Sequence, residues 1–317
     1  MSYPTTATVS PGNGVGAVAP NTAYSGVFIP EIWAGKIVEK FYDATVLAAI
    51  SNTDYEGEIK NKGDKVNIRT KPTITISDYV ADQTLDVERP SSDLETLLID
   101  KGKYFNTILD DVMEVQSDLN QLSMWADDAS EQMKIVIDTD VLAYIPGQIP
   151  IAANGNQGDS CGRISGNIDL GITATPRAVL PADVIDLVVD MGQVLDEQNI
   201  PESGRWLVIP AWMAAMIKKS ELRDASLVGD GTSMLRNGRL GMIDRFTVYL
   251  SNLLPLSGVE TSVMAGHSVG LTFASQLTKV ETLRGESYFG TYLRGLQVYG
   301  RSVIDPTAIT VAIATKG

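Results

Sequence analysis

Cysteine and histidine are nearly absent from this chain of 317 residues. Its one cysteine, Cys161, excludes an internal disulfide and a zinc site built from cysteines, and is typical of proteins made in a reducing compartment. Its one histidine, His267, excludes a paired-histidine metal site. The sequence contains no Walker phosphate loop and no EF-hand spacing. It therefore predicts neither a metal ion nor a cofactor.

Basic residues and long apolar runs are also scarce. The chain has 25 Lys and Arg against 39 Asp and Glu, a formal net charge of −14. This argues against tight binding of nucleic acid, because phosphate contacts need clustered basic side chains. The charge does not exclude a protein that encloses nucleic acid without binding it tightly, since an acidic wall repels the phosphates. No stretch approaches the ~20 apolar residues of a membrane-spanning helix, and the first residues lack the pattern of a signal peptide.

The N-terminal segment has a different character from the rest of the chain. Residues 1–24 are rich in Thr, Ala, Gly, Pro and Ser and show no helical or strand period. Alone, such a segment cannot offset its ordering entropy, so we expect it to be disordered or ordered only by a partner. Gly12–Ala17 formally fits a dinucleotide fingerprint, but no strand precedes it. From Ile29 to Phe41 the apolar spacing predicts a helix.

A polar, strand-like stretch from Glu56 to Leu109 follows. Lys65–Thr70 and Thr73–Ile76 alternate apolar and polar residues, and Leu94–Ile108 forms a second extended run beyond a turn at Asp86–Asp93. Two long strands around a charged tip predict a hairpin, which is only marginally stable by itself. We expect this arm to lie on a neighbouring molecule, because it has too little apolar surface to bury against its own domain. The alternative is an ordinary sheet within the core.

Basic residues cluster at the base of this arm, at Lys60, Lys62, Lys65, Arg69 and Lys71. Two interpretations stay open: a solvated strand face, or docking against acidic surfaces of neighbouring copies. The candidate contacts between subunits are Lys65, Arg69, Lys71, Arg89, Lys101 and Lys103, together with Tyr3 and Tyr24 of the N-terminal segment.

The pattern after the arm predicts a long helix from Asp110 to Ile145, ended by Pro146-Gly147 and roughly 50 Å in length. Its apolar residues recur at steps of three and four: Val112, Val115, Leu119, Leu122, Ala126, Ala129, Met133 and Val136. Its opposite face is acidic and expected to be solvated: Asp110, Asp111, Glu114, Asp118, Asp127, Asp128, Glu131 and Asp138. Neighbouring acidic residues on a helix point apart, so they predict no divalent-ion site.

The C-terminal half mixes helices and strands. Residues 146–181 are dense in Gly, Asn and Pro and predict a loop with short strands at most. The periodicity beyond them predicts helices at 182–198 and 212–222, and strands at 205–209, 245–250, 262–274 (two strands around a Gly turn), 293–300 and 309–313. This order indicates an α+β fold.

Gly266-His267-Ser268-Val269-Gly270 matches the nucleophile elbow of α/β-hydrolases. The elbow needs a histidine base that comes later in the chain, whereas His267 directly precedes Ser268 and is fixed beside it. The sequence after Gly270 continues as a strand where the elbow requires a helix. The motif therefore predicts a turn and not a catalytic centre.

Several stretches carry a resemblance through their order along the chain. They are Phe28–Trp33 leading to Tyr55–Ile59 and Gly63–Ile68, then Arg205–Pro210 followed by Gly241–Asn252, and finally Gly295–Gly300 followed by Asp305–Ile309. In this order they resemble the start of the extended loop, the axial-domain series and the closing strands of major capsid proteins of tailed bacteriophages. The resemblance covers nearly the whole chain and implies the α+β Hong Kong 97-type fold.

That fold implies a division of the chain into four parts. We expect an N-terminal arm at 1–28 and an extended β-hairpin loop at 56–109. The peripheral domain is expected at 29–55, 110–179 and 275–303, with a spine helix at 111–145, and the axial domain at 180–274 and 304–317. We interpret the Gly- and Asn-rich span 147–176 as an insertion with contacts of its own.

The resemblance also implies a function. Proteins of this family self-assemble into hexamers and pentamers that close an icosahedral shell around double-stranded DNA, without sequence-specific binding and without catalysis. Because the arm comes first, the resemblance implies a separate scaffolding protein, as well as a portal and decoration proteins. The protein would reside in the virion capsid after synthesis in the host bacterial cytoplasm. The alternatives are an encapsulin-like compartment shell and, remotely, a serine esterase at Ser268.

Overall fold

All described residues fall within the unit Phe41–Gly317. The computed structural model describes residues 42–43, 45–54, 65–69, 72, 74–79, 81–84, 87–90, 94–112, 121–220, 241–286 and 289–317. The helix predicted at Ile29–Phe41 and the Gly12–Ala17 stretch lie outside them.

Four helices and twelve strands occur in this described part. The helices are α1 (Leu47–Ile50), α2 (Gln121–Tyr144), α3 (Val184–Glu197) and α4 (Ala211–Lys219). The strands are β1 (Lys65–Arg69), β2 (Leu94–Leu98), β3 (Lys101–Asp110), β4 (Arg177–Val179), β5 (Arg205–Ile209), β6 (Met242–Ile243), β7 (Phe246–Leu250), β8 (Leu256–Ser257), β9 (Glu260–His267), β10 (Leu271–Arg284), β11 (Gly290–Val303) and β12 (Ile309–Lys316). The α+β class predicted from the sequence is confirmed.

The largest sheet is mixed and has helices on both faces. Its strand order is β4-β12-β9-β5-β7-β6, with β8 beside β9. Along the fully buried strand β5, Leu207 and Ile209 pack with α3 and α4 on one face. Trp206 and Val208 pack on the opposite face with α1 and the second half of α2. The alternation of a strand therefore gives two hydrophobic cores, one on each side of the sheet.

A second sheet of three antiparallel strands has the order β10-β11-β3, with β11 in the centre. Leu109 of β3 and Leu293 of β11 are buried. Position 295 has room only for glycine, because the ring of Phe105 occupies the space that a Cβ would fill. The remaining two strands, β1 and β2, pair antiparallel as a separate ribbon.

The predicted hairpin is partly wrong. Leu94–Ile108 is not one strand: β2 pairs with β1, whereas β3 joins the three-stranded sheet through β11. The expectation that the stretch cannot bury itself on its own chain is also wrong for this part. Leu97 and Ile68 form a core cluster with Ala274. The described residues of the predicted strand Thr73–Ile76 belong to no strand.

The long helix is confirmed in its described residues, with its start moved from Asp110 to Asp111. Strand β3 reaches Asp110, and Asp111 and Val112 are helical; residues 113–120 lie outside the described part, and α2 covers Gln121–Tyr144. The buried stripe of α2 consists of Ile137, Val141 and Leu142, whereas the predicted Val136 is exposed. The acidic residue Asp138 was predicted to be solvated, yet only 1% of its surface is exposed.

The remaining elements follow the sequence closely. Helices α3 and α4 and strands β5, β7 and β12 lie within three residues of their predicted bounds. The two strands predicted around a Gly turn are β9 and β10, separated by a 3-10 turn at Ser268–Gly270, although β10 is 14 residues long. In the described part of the chain, no helix is long and apolar enough to span a membrane.

Candidate assembly surfaces

The segment between β1 and β2 exposes large apolar side chains. Every described residue between positions 72 and 90 is exposed, and these residues belong to no helix or strand, with a turn at Ala81-Asp82. Ile76 is 90% exposed and Tyr79 is 72% exposed, with Ile74 and Val87 similarly open. Clustered exposed apolar residues of this kind mark interaction sites in soluble proteins.

The base of this segment is fixed to the chain's own three-stranded sheet. Ile68 of β1 and Leu97 of β2 are buried there. The Leu98 carbonyl oxygen approaches the backbone of Gly300 so closely that a side chain at this position would collide with it. Further out, the Thr75 N–H donates to a carboxylate oxygen of Glu88 at 2.9 Å, which joins the two sides of the segment. The ribbon is anchored at its base and uncovered beyond it.

The described members of the predicted basic contact set do not form one cluster. Lys65 and Arg69 share the exposed face of β1, and Arg89 is exposed in the segment beyond. Lys101 lies in a different sheet and pairs with Asp100 at 3.3 Å. Lys103 is half-buried on the same strand, opposite Gln297. Lys71, Tyr3 and Tyr24 lie outside the described residues.

One face of the three-stranded sheet is open and was not singled out in the sequence. Tyr104 lies directly opposite Leu296 on this face, and both are exposed. Beside them Glu281 accepts from Lys279 and Arg294. These two cations hold the pKa of Glu281 below its usual range. The sequence of β11 alternates between residues that are exposed and residues that are buried, which could have indicated this face. The pairing of β11 with the distant strand β3 would also have to be known to predict that the face is open.

A partly buried polar cluster fastens α2 to β11. The Tyr299 hydroxyl donates to Oδ2 of Asp140 at 2.8 Å. The Arg301 guanidinium pairs with the same carboxylate at 2.5 Å and lies over the Tyr144 ring, 4.6 Å from its centroid. Burial and the Asp140 carboxylate together raise the pKa of Tyr299. The cluster therefore positions the long helix on the sheet.

The buried carboxylate of Asp138 holds α1. Oδ2 of Asp138 accepts from the Val46 N–H at 2.8 Å. Burial raises the pKa of Asp138, against hydrogen bonds from the Val46 and Leu47 backbone that lower it. Asn52 then bonds Leu271 and Phe273 through its backbone. The chain is thus tied to α2 and to β10 directly before the extended segment begins.

The Ser268 motif forms a turn. Nδ1 of His267 accepts from the Val269 N–H at 3.2 Å, and strand β10 follows Gly270 directly. The helix that a nucleophile elbow requires is not the element that follows. Within the described residues, no group of three or more His, Cys, Asp or Glu is placed to hold a metal ion.

Comparisons with known proteins agree with this architecture. The sequence profile of a family described as phage capsid protein matches residues 94–312. No curated protein matches the chain. A solved structure from Mycobacterium phage Che8 is similar, with 27% identity, a TM-score of 0.75 and coverage of 90% of this chain and 96% of that one.

Two other solved capsids share the fold at lower identity. The capsid of cyanophage P-SCSP1u has 15% identity and a TM-score of 0.70, over 92% of this chain and 94% of that one. The mature capsid of bacteriophage PhiM1 has 15% identity and a TM-score of 0.65, over 90% and 92% of the two chains. These similarities confirm the Hong Kong 97-type fold. Since the family profile spans more than half of the sequence, the chain belongs to the phage capsid protein family, as a major capsid shell protein of the virion.

Proposed function

We propose that copies of this chain assemble into hexamers and pentamers that close an icosahedral shell around double-stranded DNA. In this proposal the chain acts by self-association and has no catalytic activity. Its separate partners are a scaffolding protein, a portal and decoration proteins, and it is synthesised in the host bacterial cytoplasm. DNA is enclosed without sequence-specific binding.

The exposed segment at positions 72–90 carries this proposal. Its large apolar side chains are exposed in a single copy, and further copies of the chain are the partners that a shell supplies to cover them. Ordering such a segment on assembly lets many moderate interfaces add up. The acidic net charge of −14 suits a wall that encloses DNA without adhering to it.

The domain division is part of the proposal. We assign the arm to 1–28, the axial domain to 180–274 and 304–317, and the peripheral domain to 29–55, 110–179 and 275–303. Because β3 pairs with β11, Lys101–Leu109 is better grouped with the peripheral sheet than with the extended loop. The basic residues Lys65, Arg69, Lys71, Arg89, Lys101 and Lys103, with Tyr3 and Tyr24, stay candidate contacts.

Electron microscopy of the purified protein and of native particles tests the proposal. Closed shells built from hexamers and pentamers are expected, with nuclease-protected DNA inside native particles. Shells that enclose protein cargo and no DNA would instead indicate a compartment shell. Only small particles at every concentration would contradict assembly altogether.

Ser268 provides the test of catalysis. Neither the wild-type protein nor Ser268→Ala is expected to hydrolyse p-nitrophenyl esters above the buffer rate, and both should assemble equally. Hydrolysis that disappears in the variant would overturn the non-catalytic assignment.

A further inference from the structure

Two short turns join the large sheet to the three-stranded sheet. The chain leaves the large sheet at the end of β9, crosses Ser268–Gly270 and enters the three-stranded sheet as β10. It returns from β11 to β12 across Pro306–Ala308. Because β9 pairs with β12 and β10 pairs with β11, these four strands form one antiparallel ribbon that is interrupted at the two turns. We call the two turns together the joint.

The two turns of the joint are packed against each other. The Gly270 carbonyl of the first turn accepts from the Ile304 N–H, close to the start of the second turn, at 2.9 Å. A Cβ at Gly270 would lie 3.1 Å from the Cβ of Ala308 and 2.8 Å from the side chain of Ile309, closer than ordinary contacts. Since no space separates the turns, the conformation of one constrains the other. The joint therefore sets how the two sheets are oriented relative to each other.

The same kind of side-chain hydrogen bond stabilises both turns. Each is one turn of 3-10 helix, preceded by an extended residue whose side chain accepts from the N–H two positions later. In the second turn this residue is Asp305, and its Oδ1 accepts from the Thr307 N–H at 2.9 Å. In the first turn it is His267, and its Nδ1 accepts from the Val269 N–H at 3.2 Å. Asp, Asn and Ser are the preferred residues for such a cap, and histidine is not among them.

The two caps respond differently to acid. A neutral imidazole has one nitrogen that accepts a hydrogen bond, whereas a protonated imidazole carries an N–H on both nitrogens and accepts none. A carboxyl group keeps an acceptor oxygen in either protonation state. Imidazole side chains change charge between pH 5 and 8. Acid in this range therefore removes the acceptor from the first turn and leaves the acceptor of the second turn in place.

The surroundings of His267 offer no compensation for a positive charge. Its partner in register on β5 is Arg205, a buried cation, and its Nε2 lies 3.2 Å from the position of a Cβ at Gly204. Among the described residues, no carboxylate pairs with His267. The carboxylates of the surrounding elements are already engaged, namely Asp196 with Arg205, Glu202 and Asp244 with Arg245, and Asp305 with Thr307. Protonation therefore costs the turn its cap without forming a new ion pair.

We propose that His267 makes the joint between the two sheets acid-sensitive. At pH 8 the neutral imidazole holds the Val269 N–H and the first turn is fixed. At pH 5 the protonated ring releases this N–H, and the two sheets change their relative orientation more freely. The inference concerns each single copy of the chain, so it is independent of the proposed assembly.

Hydrogen exchange measured by mass spectrometry tests the loss of the cap. In the full-length chain, protection of the fragments that contain Val269 and Ile304 is compared with the intrinsic exchange rate at each pH. It should fall about fivefold from pH 8 to pH 5, as expected for the loss of one cap. His267→Asn is the matched control, because its amide oxygen accepts as Asp305 does and does not titrate, so its protection should stay constant. His267→Ala should show, at both pH values, the low protection of wild type at pH 5.

Distances between two spin labels test the movement of the sheets. Val259→Cys and Thr282→Cys provide exposed attachment sites, one beside β9 of the large sheet and one on β10 of the three-stranded sheet. The native Cys161 stays unlabelled, because it is buried and burial raises the pKa of its thiol to about 12. The distribution of label distances should broaden at pH 5 when His267 is present. It should be the same at pH 8 and pH 5 when His267→Asn is added.

Several outcomes would overturn the inference. Equal protection of wild type at both pH values, or an equal fall in His267→Asn, would show that His267 does not sense acid. A label distance that stays unchanged while protection is lost would show that the cap does not control the sheets. None of these outcomes would affect the proposed self-assembly, which is tested by the presence of shells.

Discussion

Glu197 shows how one carboxylate fixes the loop before β4. It accepts hydrogen bonds from the Ile164 and Ser165 backbone and, at 2.9 Å, from the Gln193 side chain. Burial acts to raise its pKa, but the hydrogen bonds from Ser165, Gln193 and Ile164 outweigh burial and lower the pKa to about 2. Because the folded pKa lies below the unfolded value of about 4.3, the stabilisation is present above the unfolded pKa and is lost as pH falls toward 2.

We therefore predict that Glu197→Gln lowers the free energy of unfolding at pH 7 by about 1 kcal/mol or less, since the site is partly exposed and solvent screens its charge. The difference from wild type should shrink between pH 4.3 and 2, as measured by urea unfolding across that range. Glu286→Gln is the control, because this glutamate is exposed and no hydrogen bond from another described residue holds it. A difference that stays constant with pH would contradict the charged role of Glu197.

The turn between β6 and β7 contains two strained residues. Asp244 and Arg245 have φ values of 45° and 64°, the left-handed region that a two-residue hairpin turn requires and that favours Asn-Gly. Arg245 pairs with Asp196 at 2.8 Å and with Glu202 at 3.0 Å. Exposed ion pairs contribute little, whereas a left-handed non-glycine residue costs about 1 kcal/mol.

Two substitutions at Arg245 separate these effects. Arg245→Ala should lower the free energy of unfolding by about 0.5 kcal/mol, because it loses the ion pairs and keeps the strain. Arg245→Gly should be more stable than the alanine variant by about 1 kcal/mol, because it also removes the strain. Urea unfolding of both proteins measures the difference. Equal stabilities would show that the turn is not strained.

The environment of some single residues could not be predicted from the sequence. The sequence placed Asp138 on a solvated acidic face, because every acidic residue on that side of α2 looks alike in a helical projection. Its burial follows from α1, whose Val46 N–H requires an acceptor 92 positions away. The turn residues Asp244 and Arg245 give no hairpin signal either, since neither is glycine or asparagine.

At the scale of elements, the local spacing of apolar residues predicts a helix or strand correctly where Pro or Gly marks both of its ends. Strand β5 and helix α3 were predicted within three residues because apolar runs stop at Pro and Gly. The sequence predicts one hairpin for the stretch Glu56–Leu109, whereas β3 pairs outside it with β11. This part of the prediction is wrong because the strand pairing is not local. Thr107 of β3 bonds Leu293 of β11, 186 positions later, and no short-range pattern encodes that register. The assembly surfaces have the same limitation, since exposure depends on what the rest of the chain covers.

The extended segment should be required for assembly and dispensable for folding. Ile74→Ser, Ile76→Ser and Tyr79→Ser in one chain should change the melting temperature little, because these side chains are exposed. The same variant should fail to form shells in electron micrographs, since it removes the apolar surface that another copy would cover. Ser77→Ala with Thr84→Ala is the matched control and should assemble normally. Normal shells from the triple variant would show that this surface is not an interface.

For the whole molecule, two electrostatic effects on assembly have opposite signs. Each copy carries a net charge of −14, so neighbouring copies repel one another at low ionic strength. The docking of Lys65 and Arg69 on acidic surfaces would have the opposite dependence, because attractive pairs are weakened by salt. The salt dependence of assembly therefore tells which of the two dominates.

We predict that repulsion dominates, because the described basic candidates are few and are divided between two sheets or, for Arg89, lie outside both. The protein concentration at which light scattering first detects shells should fall as NaCl rises from ~0.01 to ~0.15 M, where the screening length shortens from about 30 to about 8 Å. Lys65→Ala with Arg69→Ala should raise net repulsion and shift the threshold upward at low salt, with little effect at high salt. A wild-type threshold that rises with salt, and that the double variant makes independent of salt, would show instead that these two basic residues hold neighbouring copies together.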